Sequence, residues 1–164
     1  MNLNENVTLN RITDILKEVA ECHSMLCGFE VGETAARGYS DKEKKELCYP
    51  YLWVDYGDTL YNVTANRTIS DKVYNMRLFV ADKHSDNIKS DDEIMSDTEG
   101  ILSDVIQWIL TYPELKKILV SVGTISATPA REATKDDVFG WIATIPIRIP
   151  YKFCYSDLPI VEKP

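Results

Sequence analysis

Ser90–Tyr112 reads SDDEIMSDTEGILSDVIQWILTY, and its spacing predicts one long amphipathic helix that a β-sheet must cover. Ile94, Thr98, Ile101, Val105 and Trp108 or Ile109 recur at helical intervals, with Met95, Leu102 and Ile106 beside them. Asp92, Glu93, Asp97, Glu99, Ser103 and Asp104 mostly point elsewhere, so one face is apolar and the other acidic. Ser90, Asp91 or Asp92 can cap the start, and the carboxylates of the first turn suit the positive end of the helix dipole. Tyr112 with Pro113 supplies a stop. Gly100 interrupts the pattern at a cost of about 1 kcal/mol against alanine, which predicts close packing against the sheet there.

Working outward, Thr8 opens a second amphipathic helix in which Leu9, Ile12, Ile15, Leu16, Val19 and Cys22 share a face, running to Met25 or Leu26 with Gly28 as its end. Phe29–Thr34 reads as a short strand, Ala35–Glu46 as a polar connection, and Tyr49–Tyr56 as an alternating strand closed by a turn at Gly57 and Asp58. Thr59–Thr64 and Thr68–Asp82 follow as strands around Ala65, Asn66 and Arg67, the second being the candidate central strand. Beyond the main helix, Ile118–Ala127 is expected to be a strand, Thr128–Asp137 a polar connection, and Val138–Tyr151 a long return strand paired with the one before it. Trp141, Ala143, Ile145, Ile147 and Ile149 lie on one side of that return strand. Pro146 and Pro150 interrupt it, and proline cannot donate to a ladder, so an edge strand or a bulge is expected. The order of elements is that of an α+β fold: a mostly antiparallel sheet with an N-terminal helix and one long amphipathic helix packed on it. The 164 residues fit one domain, with a surface tail from about residue 152.

Bulk composition narrows the function classes. The formal charge is -8 and the pI near 4.8, which argues against a surface built to hold a phosphate backbone. Lys42, Lys44 and Lys45 form the basic cluster, but Asp41, Glu43 and Glu46 interleave with them. No basic leader precedes an apolar run, and no segment approaches the roughly 20 apolar residues that cross a bilayer. A cytosol-like site of synthesis and no membrane partner are therefore expected. Cys22, Cys27, Cys48 and Cys154 are irregularly spaced and read as free thiols of a reducing compartment. The N-x-T triplets at Asn6, Asn62 and Asn66 carry no weight without a secretory route.

No catalytic signature stands out: there is no glycine-rich phosphate loop, no G-x-S-x-G elbow and no H-E-x-x-H helix. His23 reads as a helix-end residue and His84 as a loop residue, and Cys22, His23 and Cys27 lack the paired ligands of a zinc site. Asp86, Asp91, Asp92, Glu93 and Asp97 lack the spacing of a calcium loop and read as a helix N-terminus. Tyr49, Tyr51 and Tyr56 would serve as a base-stacking platform only within a basic groove. No cofactor and no metal is expected. A small cytosolic enzyme or regulatory binding module is the alternative reading, and it would need a clustered set of titratable groups.

Three stretches, VYNMRLFVAD (Val73–Asp82), IMSDTEGILSDVIQWI (Ile94–Ile109) and ATKDDVFGWIATIPIRIP (Ala133–Pro150), together resemble the small neck and tail-completion proteins of tailed bacteriophages, of the crAss-like or Bacteroides-phage type. In that pattern a strand leads into an S-D-T helix, and a hairpin follows whose return strand opens with an acidic pair and a small turn, here Asp136, Asp137 and Gly140. The resemblance implies a tail-terminator-like or head-to-tail connector fold and a non-enzymatic virion role in the neck or tail. The partners it implies are copies of the chain in a ring, six-fold or twelve-fold, and neighbouring neck or tail-tube proteins, without sequence-specific nucleic-acid binding. An acidic lumen would repel passing DNA and not retain it. Assembly contacts are expected at the hairpin end Thr64–Ser70, the connection Thr128–Asp137 and the tail Tyr151–Pro164. Within them Arg67 and Arg131 are candidates to pair with carboxylates of the next subunit, beside Asp136 and Asp137, with Pro146 and Pro150 on an edge open to heterologous contact.

Overall fold

The computed structural model describes residues 7–32, 48–84, 89–116, 123–132 and 137–151. Its elements in chain order are α1 (Leu9–Cys22), β1 (Gly28–Val31), β2 (Tyr51–Val63), β3 (Ile69–Lys83), α2 (Asp91–Thr111), α3 (Pro113–Lys116), β4 (Ala127–Glu132) and β5 (Val138–Pro150). The strands form one sheet in the order β1-β2-β3-β5-β4. Every neighbouring pair is antiparallel except β1 with β2. The fold is α+β, and β3 is its central strand.

The long helix begins where its local chemistry dictates. Ser90 accepts from the Glu93 N–H at 3.3 Å while the Glu93 carboxylate accepts from the Ser90 N–H at 2.8 Å, a reciprocal capping box. Those hydrogen bonds hold the Glu93 carboxyl below its ordinary pKa. Ile94, Thr98, Ile101, Leu102, Val105 and Ile109 are buried, and Thr98 satisfies its hydroxyl by donating to the Ile94 carbonyl at 2.7 Å. The Trp141 indole donates to the Met95 carbonyl at 2.9 Å, fixing helix to sheet. Gly100 does not pack against the sheet: a methyl there would meet nothing within 4 Å. Gly100→Ala is therefore expected to raise stability by about 1 kcal/mol through helix propensity alone. A urea titration showing no gain would refute this.

Thr8 caps α1 through the Arg11 N–H at 3.2 Å. Ile12, Ile15, Leu16, Val19 and Ala20 are buried. The helix stops at Cys22, short of Met25, and Cys22 is exposed. Gly28 opens β1 instead of ending α1. Cys27 and Cys48 are joined in a disulfide, with Cα atoms 5.2 Å apart, which overturns the reading of both as free thiols. Irregular sequence spacing did not reveal that β1 and β2 run side by side in parallel and bring the two residues together. Cys154 lies outside the described residues.

Both helices lie on the sheet face bearing Leu52, Val54, Met76, Leu78, Val80, Ala143, Ile145, Ile147 and Ile149, and this layer holds the main core. The opposite face carries a smaller cluster of Tyr51, Trp53, Phe79, Ala81 and Val138. Its rings meet edge to face between Tyr51 and Trp53 at 5.7 Å and stacked between Trp53 and Phe79 at 6.0 Å. Tyr51 is buried, so it cannot serve as a stacking platform with Tyr49 and Tyr56.

Three expected boundaries shift. Gly57 and Asp58 form no turn: β2 runs on through them, and the register with β3 slips between Tyr56 and Thr59. Gly57 is needed there because a Cβ would overlap the Asn75 carbonyl oxygen. The fourth strand is Ala127–Glu132, which starts at the last residue of the expected strand and runs into the stretch expected to be a connection, and Gly123–Ser126 is not strand. Gly140 marks no turn either; it sits within β5 opposite Ala81. The segments 35–46 and 118–122 lie outside the described residues.

Candidate assembly surface

The second half of β2 forms a hairpin with the first part of β3, an arm that β5 flanks along β3 as far as Asp71 opposite Pro150 and whose β2 side is its outer edge. β1 accompanies β2 only from Tyr51 to Val54, and beyond Asp55 the burial of β2 falls away. Tyr56, Leu60, Tyr61 and Val63 are all exposed, and Val63 at 62% is the most exposed large apolar side chain among the described residues. By register Tyr56 and Tyr61 lie on the helix-bearing face and Leu60 on the opposite one, so the strand exposes apolar surface on both faces, as a contact strand does and a solvated loop does not.

Polar bonds on the helix-free face stiffen the arm. Asp71 is buried and receives both Nε and Nη2 of Arg148, at 2.9 and 3.0 Å, together with hydrogen bonds from Ser70 and Asn62. The guanidinium first, then Asn62, hold the Asp71 carboxyl well below the usual carboxylate range against the opposing effect of burial. One step along the sheet, Arg77 donates to Asp55 at 2.7 Å. On the other face the Lys72 ammonium lies over the Tyr61 ring at 5.6 Å and the Tyr151 ring at 4.3 Å. At the tip the Thr64 and Thr68 hydroxyls meet at 2.8 Å and the Thr64 N–H donates to the Thr68 carbonyl, closing the turn. Arg67 adopts the left-handed conformation there, with φ of 61°. Among the described arginines it alone has no carboxylate partner, since Arg11, Arg77, Arg131 and Arg148 pair with Glu114, Asp55, Asp137 and Asp71.

Arg131 and Asp137 are brought together, but within one chain. The Arg131 guanidinium grips Asp137 at 3.1 and 2.8 Å and lies 4.5 Å above the Phe139 ring. Its valences for a partner's carboxylate are thus already engaged. His84 closes this cluster, with its ring against Phe139, its Nδ1 2.8 Å from Asp91 and its N–H donating to the Asp137 carbonyl. Asp136 and the tail from residue 152 lie outside the described residues.

Pro146 and Pro150 close an edge where one was expected to open. The Tyr151 N–H donates to the Ser70 carbonyl at 2.9 Å, so odd-numbered residues at this end of β5 turn their N–H groups to β3 and even-numbered ones turn outward. β4 covers β5 only from Val138 to Ala143. Pro146 and Pro150 therefore fall where an N–H would face outward past the end of β4, and Pro129, opposite Trp141, occupies the outward position on β4 itself. All three remove donors from the open side while leaving the ladder intact.

Elsewhere, a shallow groove is lined by Glu18, Trp108, Thr111, Tyr112, Pro113 and Glu114. Its polar groups are largely consumed internally, with the Tyr112 hydroxyl on Glu18 at 2.8 Å and Arg11 on Glu114 at 2.8 Å. His23 lies 3.3 Å from Asp104. Among the described residues no group of three His, Cys, Asp or Glu side chains is placed to hold a metal ion, and no helix is long and apolar enough to cross a membrane. The arm was only partly legible beforehand: its tip was singled out, but not the exposed row on β2. Among protein families and curated proteins, no match to this chain is found.

Proposed function

We propose that this chain is a non-enzymatic structural protein of a tailed-phage particle, assembling with copies of itself into a six-fold or twelve-fold ring of the neck or tail through which DNA passes. The observation that carries the assembly role is the arm, a strand with four exposed apolar side chains and, at its tip, an arginine without a carboxylate partner among the described residues. The phage setting rests on the sequence resemblance of Val73–Pro150. The net charge of -8 is compatible with a lumen that repels phosphate.

Mass measurement of assembled particles tests this reading: six copies or a multiple is expected, and one or two copies per particle would overturn it. Arg67→Glu is expected to abolish incorporation while leaving the monomer within about 0.5 kcal/mol of the parent, because the side chain makes no ion pair or hydrogen bond among the described residues. Normal incorporation of that variant would remove Arg67 from the contact.

A further inference from the structure

The geometry points to a specific partner for the arm: the same arm of a second copy, added edge to edge as an antiparallel strand across a twofold axis. This rests on reading the arm as an assembly surface, but not on the phage setting.

Backbone direction defines the edge. The Val54 carbonyl accepts from the Gly32 N–H on the outer side of β2, and the one-residue slip after Tyr56 moves the outward positions to Thr59 and Tyr61. Beyond β1, the stretch Tyr56–Val63 contains no proline and no lysine. It is exposed along most of its length. An edge of this kind is a template for another strand unless something guards it.

The choice of partner follows from what a copy of this chain can offer. The β4–β5 side is guarded by Pro129, Pro146 and Pro150, so a head-to-tail sheet running from the arm of one copy to that side of the next is disfavoured. Among the described residues no strand covers the arm's edge past Val54, and from Thr59 to Val63, beyond the bulge and Asp58, it carries neither proline nor charge. Its charges also complement each other: Asp58 near the base is exposed and has no partner among the described residues, and Arg67 at the tip is likewise unpaired. Antiparallel pairing brings the tip of each arm toward the base of the other, Arg67 toward Asp58 twice over, and sets Leu60 and Tyr61 near the axis. Parallel pairing would set like charges together.

Sedimentation of the full chain across a concentration series, with four proteins, tests the assignment. The parent is expected to form dimers or even-numbered assemblies of them. Tyr61→Pro removes an outward donor together with the ring beneath Lys72, and is expected to be monomeric with the cooperative unfolding transition retained. Arg67→Asp is expected to weaken the pair at least tenfold, and Asp58→Arg combined with Arg67→Asp to restore it. A parent that stays monomeric at every concentration overturns the proposal, and particle composition then still decides the ring reading on its own. An oligomer that survives Tyr61→Pro, or a charge swap that fails to rescue, overturns arm-to-arm pairing while leaving assembly through another contact intact.

Discussion

Gly140→Ala is expected to destabilise the protein by about 3 kcal/mol or more, the range of a core position that cannot accept added volume. Gly140 is buried in β5 opposite Ala81. A Cβ on it would overlap the Val80 carbonyl oxygen and come within 2.8 Å of the Ala81 Cα. Both obstacles are backbone atoms of the central strand, so no side-chain rotation relieves them. The remaining relief is to part β3 from β5, which breaks the longest ladder on that side of the sheet. Gly100→Ala, the same chemical change at an open helical site, is the matched control and should move the other way. Urea unfolding of the two variants measures the contrast, and a Gly140→Ala protein within 1 kcal/mol of the parent would contradict the packing described.

Replacing Asp71 by asparagine is expected to cost about 2 kcal/mol at neutral pH, the scale of losing charge-assisted hydrogen bonds at a buried acceptor. Arg148 loses its paired acceptor, and Asn62 and Ser70 keep only part of theirs. The pH dependence has a definite sign. Because the folded protein holds the Asp71 carboxyl below its ordinary pKa, its contribution is fully present above the usual carboxylate range, near pH 4, and is lost as pH falls through the folded value. The asparagine variant lacks that contribution at every pH, so the gap between the two proteins should narrow on acidification from about pH 5 toward pH 2. A gap that stays constant would show that Asp71 acts by shape and not by charge.

The readings that held were those whose cause is local. Ser90 and Glu93 lie three residues apart and make the capping box by themselves, and Thr8 does the same for α1 with one hydrogen bond. Alternation over Val73–Asp82 marked the central strand, whose Leu78–Asp82 end is buried on both faces. The readings that failed needed a partner distant in sequence. Ala127–Arg131 is mostly exposed and lacks an apolar alternation, so its own pattern says connection, and pairing with β5 makes it a strand. Gly57 and Asp58 carry the local chemistry of a turn, but the ladder to β3 on either side turns the same residues into a bulge. At the candidate site, Arg67 was singled out because a loop arginine is visible in sequence, and the structure places it at the turn between β2 and β3. That Arg131 is already held by Asp137 was not visible, since the left-handed backbone at Asp137, with φ of 45°, that accompanies their pairing has no signature in composition.

The sheet order also sets a timetable for synthesis. β3 pairs with β2, made just before it, and with β5, the last strand in the described chain. While the ribosome is still making α2 and β4, the hairpin of β2 and β3 can close and α2 can dock through Ile94, Ile101 and Val105, but one side of the central strand stays unpaired. That side runs through Met76, Leu78 and Val80, the apolar middle of the finished sheet. A nascent chain paused there exposes a long unpaired strand edge, the kind of surface on which unfinished proteins aggregate, with Lys72, Arg77 and Lys83 as its basic residues. Arrival of Val138–Pro150 removes that hazard, and with its outward-facing prolines it does not create a new one on the far side.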